Sequence, residues 1–313
     1  MLNALSKFNW HKVGWIIAVE VGVIFIIASF FLPGGDDLYR FYLPFAQGCL
    51  NCGFVPYFAY WILWPLTLVP APLTWSFWTT ISVAGLISLC HYTKVNPAIV
   101  ILSFPAMGQF WLGQIDVIVA TGLVVSLLAT NPYLRGVGIV LACVKPQLAG
   151  FAVLILLIHQ PLRELAKIVI VPAAVLIISL LTFGLTWPMD WLMNSLNNLP
   201  VHVWRLASRD MWPYGIIFIF VVFMFRSLRS RFDATLMISA LATPFFGVYS
   251  YLIFLIFQAP WWSLPLSYAW LLTYPLYGKA SMRFAWILPI GLLIYLLLRE
   301  KALQQEKAYS KQG

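Results

Sequence analysis

Charge is what this sequence lacks. Of its 313 residues only 9% are Asp, Glu, Lys or Arg, and just 10 are acidic; a soluble domain carries about 25% charged residues. With 62% hydrophobic residues, the chain cannot hide its apolar surface in water, which excludes an ordinary soluble enzyme. Histidine is scarce, at 4, and the 4 cysteines have no histidine at ligand spacing. No metal motif results, and no cofactor is predicted. No internal repeat is found, so the inverted halves of many transporters are missing. The basic residues form no nucleic-acid-like cluster. Cys49 and Cys52 make a C-x-x-C, readable as a disulfide or redox pair or as two small residues in a loop.

What is present is a series of apolar runs. Val13–Leu32 is long enough to cross roughly 30 Å of hydrocarbon, and nothing behind it looks like a cleavage site. Glu20 interrupts it and reads as a polar contact facing a helix bundle. Basic residues lie at segment ends: Lys7, Lys12, Lys94, Arg163, Lys167, Arg226, Arg229, Arg231, and from Arg299 to Lys311. By the positive-inside rule both termini are cytoplasmic, residues 1–12 and a solvated tail at 299–313. Residues 33–56 and 187–212 then form two longer extracytoplasmic loops. The apolar piece from Tyr57 to Pro72 is cut by prolines and reads as interfacial or re-entrant. Residues 96–113 cross with a kink near Pro105. Between Arg135 and Arg163 both flanks are basic, and Lys145-Pro146 breaks the run, so a pair of half-helices that dips in and returns is expected. Three or four further segments fill 234–298. The expected fold is an all-α polytopic membrane protein, one domain over 1–313, of about ten transmembrane or half-membrane helices in the cell membrane.

Polar residues inside such a chain are costly, by roughly 2.5–3.5 kcal/mol for a charge near the bilayer centre, so each needs a reason. Asp116, beside Gln114, and Lys145 can neutralise one another, either to fix the helices or to line a polar cavity. In the second outer segment Arg205 and Arg209 are one helical turn apart, with His202 near. They suit a phosphate, or equally the lipid headgroups. The first outer loop opens with Asp36 and Asp37 in "LPGGDDLYRFYLP". Two adjacent acids at a membrane surface read either as a polar turn after Pro-Gly-Gly or as a general base for chemistry on a substrate half in lipid.

"GGDDLYRFY" resembles the first-loop acid motif of the GT-C class of membrane glycosyltransferases. "YFAYWILWPLTLVPAPLTWSFW", "LGQIDVIVATGLVVSLLA" and "GVGIVLACVKPQLAGFAVLIL" resemble stretches of the bacterial family 87 branch, and "ALATPFFGVYSYLIFLI" a later motif. The resemblance implies a GT-C-like bundle and an inverting hexosyl transfer, mannosyl transfer among the options, on the extracytoplasmic face. The donor is a sugar on a polyprenyl phosphate and the acceptor a lipid or glycan. Asp37 aligns with the family's loop acid, the general base, and Asp36 is the runner-up. Arg205, Arg209, His202, Lys145, Gln114, Asp116 and Tyr249 are the candidates for binding donor phosphate or substrate. Where members carry a His in the later motif, this chain has Tyr249 or Ser250. That departure, with a short chain, keeps open a non-catalytic, transferase-like scaffold in a larger membrane complex. A transporter working through Asp116, Lys145 and Glu20 is the third reading.

Overall fold

The structure, a computed structural model, describes residues 10–197, 211, 213–243 and 246–309. Among these it is all-helical. Four helical stretches are long and apolar enough to cross a membrane: His11–Phe31, Ala71–Thr93, Leu162–Phe183 and Ala269–Glu306. The chain is a polytopic membrane protein.

Helix α1, Trp10–Phe31, runs to the Pro-Gly-Gly turn. Helix α2, Ala71–Thr93, starts behind Pro70 with Pro72 in its first turn and ends at Lys94 in the left-handed conformation, φ 62°. The two pack side by side, with Ser76 Oγ donating to the Ser29 carbonyl at 2.8 Å. The expected kinked crossing is two pieces. Pro97–Ile101 stops, and α3, Phe104–Leu112, restarts with Ser103 as its cap and Pro105 in its first turn.

Helices α4, Asp116–Leu128, and α5, Pro132–Ala142, cross closely. A Cβ on Gly122 would stand 2.2 Å from Ala142 N, and one on Gly138 2.6 Å from Ser126 N. Only glycine permits that backbone approach, the usual device for apolar helices in lipid. After Lys145-Pro146 comes α6, Pro146–Ile158. Arg135 Nη1 donates to Gln160 Oε1 at 2.9 Å, so the far ends of α5 and α6 meet and the two form a helical hairpin. An 11-residue helix reaches only about 16 Å, too short to cross roughly 30 Å of hydrocarbon, and Lys145 stands at the tip of the pair.

Helix α7, Leu162–Phe183, is a largely exposed apolar span; α8, Trp187–Asn197, follows. Helix α9, Leu228–Ala242, is the centre of the core, buried from Phe232 to Ala242 and backed by the 3₁₀ stretch Tyr214–Met224. Short helical turns lead to α10, Ile287–Tyr309.

Two expectations need correction, and a third gains detail. Glu20 does not face the bundle: it is exposed on the outer side of α1. The tail is helical as far as it is described, residues 299–309 continuing α10. Residues 33–56 are not a solvated loop: a π turn at Leu38–Tyr42 and a short helix at Leu43–Ala46 bury Leu38, Tyr42, Leu43, Phe45 and Ala46. Apolar side chains at that density fold back on the bundle, because burying each is worth about 1.5–3 kcal/mol.

Candidate active site

The turn that carries the acid pair is seated on α2. A Cβ on Gly34 would strike the Trp75 indole at 2.2 Å, and Gly35 holds φ +75°. Gly35 N–H donates to the Trp111 carbonyl at 2.8 Å, tying the turn to α3 as well. The helical turn that follows sends the two acids different ways. Asp36 faces outward and pairs with Arg40 at 2.9 Å, both side chains more than half exposed. Asp37 turns inward, half-buried, and accepts from Gln114 Nε2. The π turn brings Tyr42 to the same group, where its hydroxyl donates to Gln114 Oε1 at 2.7 Å. Such turns recur at functional sites.

Gln114 is the hub. Its Oε1 also accepts from Lys145 Nζ at 2.7 Å. Its own carbonyl accepts from Gln109 Nε2 and, at 2.9 Å, from Trp78 Nε1. Two donors at the amide oxygen and a carboxylate at the amide nitrogen fix which way the amide faces. The residue before it, Gly113, closes α3 at φ +68°, and a Cβ there would meet Leu38 Cβ at 2.7 Å. A side chain at 113 would push apart the two segments that carry Asp37 and Gln114.

Lys145, at the tip of the α5–α6 pair, bonds Asp116 Oδ1 at 2.5 Å, and Ser250 Oγ donates to Asp116 Oδ2 at 2.6 Å. Asp116 is 0% and Lys145 6% exposed. A charge pair this deep survives only with its remaining valences filled, and here Gln114 and Ser250 fill them. The rings of Tyr42 and Tyr249 face the ammonium at 5.5 and 5.6 Å. Chain segments near positions 37–42, 114–116, 145 and 249–250 thus converge on one polar cluster.

Burial, with smaller contributions from Asp36 and Asp116, pushes the Asp37 carboxyl up to about 6, against the opposing pull of Lys145 and Gln114. Its Oδ1 makes no hydrogen bond among the described residues. The arrangement is a partly desolvated carboxylate, one oxygen held and one open, with a proton affinity close to neutral pH. That suits a general base.

Of the residues singled out from the sequence, Asp37, Gln114, Asp116, Lys145 and Tyr249 come together, and Asp36 is adjacent but turned away. His202, Arg205 and Arg209 lie outside the described residues. Helix α8, which leads to them, does pack on the first loop region: Asn194 Nδ2 donates to the Asn51 carbonyl at 3.0 Å and Trp191 Nε1 to that of Phe54 at 3.2 Å. Cys49 and Cys52 are joined as a disulfide, the alternative reading of two ordinary small residues being set aside. Tyr42 and Gln109 are members that sequence reasoning missed; Arg40, also missed, pairs outward with Asp36. For Tyr42 the available signal was its place five residues after Asp37. Among the described residues no three His, Cys, Asp or Glu side chains group as a metal-ligand set.

A family model, glycosyltransferase family 87, matches residues 55–208, just under half of the chain. The match takes in Gln114, Asp116 and Lys145, while Asp37, Tyr42 and Ser250 lie outside it. No curated protein and no solved structure matches the chain. The family resemblance read from the sequence thus has a counterpart over the matched segment.

Proposed function

We propose that the protein transfers a hexose, mannose among the candidates, from a polyprenyl-phosphate donor to a lipid or glycan acceptor on the extracytoplasmic face, with inversion. The observation that carries this reading is the half-buried Asp37 carboxylate, held at one oxygen by Gln114 and without a hydrogen bond at the other among the described residues. In the proposed step the acceptor hydroxyl gives its proton to Asp37 as its oxygen bonds the anomeric carbon from the face opposite the donor phosphate. The bond from that carbon to the phosphate oxygen breaks, and its electron pair leaves with the lipid phosphate. One base is enough, because the lipid phosphate monoester released from the diester donor is already a stable leaving group once cations meet its charge.

Lys145 is spoken for by Asp116 and Gln114, so its proposed part is to hold Gln114 and offset the charge of Asp37. The cations proposed to meet the phosphate are Arg205 and Arg209, by their spacing in the sequence, together with the exposed Arg40. The disulfide supports an extracytoplasmic position for this side, since disulfides persist in oxidising compartments. The direct experiment is transfer from a synthetic polyprenyl-phosphate hexose in nanodiscs, with the anomeric configuration of the product read by NMR. Inverted product supports the proposal and retained configuration refutes it.

A second reading, a transferase-like scaffold subunit in a larger membrane complex, has one observation in its favour. The large cavity among the described residues opens away from Asp37, on the face that carries Lys94.

A further inference from the structure

That cavity, of about 1170 Å³, is bounded by the end of α2, the start of α9, residues 257–260 and α10. The polar group around Asp37 lies at the other end of the molecule. Tyr39 of the first loop bonds the Ala71 carbonyl at the start of α2, whereas Lys94 stands at its end, 23 residues later, about 35 Å away by helical rise. The proposed transfer chemistry makes no use of it.

Its charged lining is unequal: Lys94, Arg226, Arg229 and Arg299 against Asp233 and Glu300. Arg229 is engaged by Asp233 at 3.0 Å, and Arg299 reaches the Gln258 amide at 3.4 Å. Glu300 accepts from the Arg226 N–H and from Ser230 Oγ. The ammonium of Lys94 and the guanidinium of Arg226 make no bond to an acid among the described residues, and both residues are exposed at the mouth. Lys94 is also the one non-glycine residue at positive φ among the described residues, a position where glycine would cost less.

The second observation is at the buried end. Asp233 is 1% exposed. Its Oδ2 accepts from Arg229 and, at 2.8 Å, from Gln258 Nε2, while Oδ1 has no partner among the described residues. Asp233 lines the cavity, and a buried acceptor without a partner costs about 1–3 kcal/mol, so a rotation of the carboxylate that gives Oδ1 a donor from whatever fills the space is favourable. The site therefore offers cations at the mouth and an unfilled acceptor inside, with Tyr295, Leu296 and Leu303 as part of its wall. Position favours one source. Lys94, Arg226 and Arg299 each follow an apolar stretch at the point where it gives way to polar sequence, which is headgroup depth.

We propose that this cavity binds the headgroup of a phospholipid from the leaflet on that face, its phosphate against Lys94 and Arg226 and its hydroxyl or ammonium donor against Asp233 Oδ1. The chemistry fits phosphatidylethanolamine and phosphatidylglycerol, and it disfavours phosphatidylcholine, whose headgroup has no hydrogen to donate.

The test is native mass spectrometry of the full chain, released from detergent with each of the three lipids. The double variant Lys94→Asn/Arg226→Gln keeps a residue tolerant of positive φ at 94 and alters only exposed side chains. Phosphatidylethanolamine and phosphatidylglycerol are expected to bind about tenfold more tightly than phosphatidylcholine, and the double variant to lose at least about tenfold for both, a loss in line with charge-assisted hydrogen bonds. Unchanged lipid affinity in a folded double variant overturns the phosphate site. Equal binding of phosphatidylcholine overturns the role of Asp233. Displacement of bound lipid by sn-glycerol 3-phosphate at equal concentration overturns the lipid source in favour of a soluble phosphate ester.

Discussion

Gln114 holds Asp37 across 77 positions of the chain: its amide N–H donates to the carboxylate, while its oxygen is taken by Tyr42 and Lys145, each at 2.7 Å. A carboxylate that is to receive a proton must be aimed, and here the aim is set by a neutral amide that is itself fixed from three sides.

This arrangement makes a pH prediction. A base works only when ionised, so kcat/KM should rise with pH and level off above about 6, where burial has raised Asp37. The Gln114 bond favours the ionised form. In Gln114→Leu the rise should therefore move to higher pH, with turnover lower throughout. A pH profile of that variant identical to wild type would mean that Gln114 does not act on Asp37.

The same raised carboxyl bears on stability. Folded Asp37 holds its proton to higher pH than the unfolded chain does, so its contribution is fully present below about 4 and is lost as pH rises through about 6. Asp37→Asn should then be more thermostable than wild type at pH 8 but not at pH 4. The gain should be on the order of 1 kcal/mol after discounting for its partial exposure. Differential scanning in detergent at the two pH values reads it, and equal destabilisation at both would mark Asp37 as a structural residue.

The buried pair predicts a mutant cycle. Lys145→Met leaves Asp116 charged, buried and short of its partner, a loss of about 3–5 kcal/mol. Removing both charges, Lys145→Met with Asp116→Leu, should recover most of it. Melting temperatures of the two single variants and the double variant decide the point: a double variant no better than the singles would show that the pair is not coupled.

Much of this was legible beforehand. The Lys145-Pro146 break and the matching basic flanks at Arg135 and Arg163 disclose the α5–α6 hairpin, because charge and proline act locally. Asp116 and Lys145 could be paired on paper because two charges at membrane depth have few other partners. The first loop was misread. Composition reports Asp36, Asp37 and Arg40 as polar but cannot say that Leu38, Tyr42 and Phe45 turn the segment inward onto Trp75 and Gly113. Tyr42 was missed for the same reason: its role depends on a π turn, which leaves no periodic signal. Glu20 failed in the opposite sense, since one acid in an apolar helix does not reveal which side it faces.

Orientation has its own check. If the Asp37 side is extracytoplasmic, a cysteine placed at Asn197, at the end of α8, should react with a membrane-impermeant maleimide in intact cells. Reaction only after permeabilisation would invert the topology and remove the proposed site from the outer face.

The central claim, that Asp37 is the base, is tested most directly by comparing two neighbouring substitutions in the nanodisc transfer assay. Asp37→Asn keeps size and the bond from Gln114 but cannot take the proton. Its turnover should fall by about 10²–10⁴-fold, while Asp36→Asn, which loses only the exposed pair with Arg40, should stay within a few-fold of wild type. Wild-type turnover in Asp37→Asn, at equal yield and with an intact melting transition, would contradict the account.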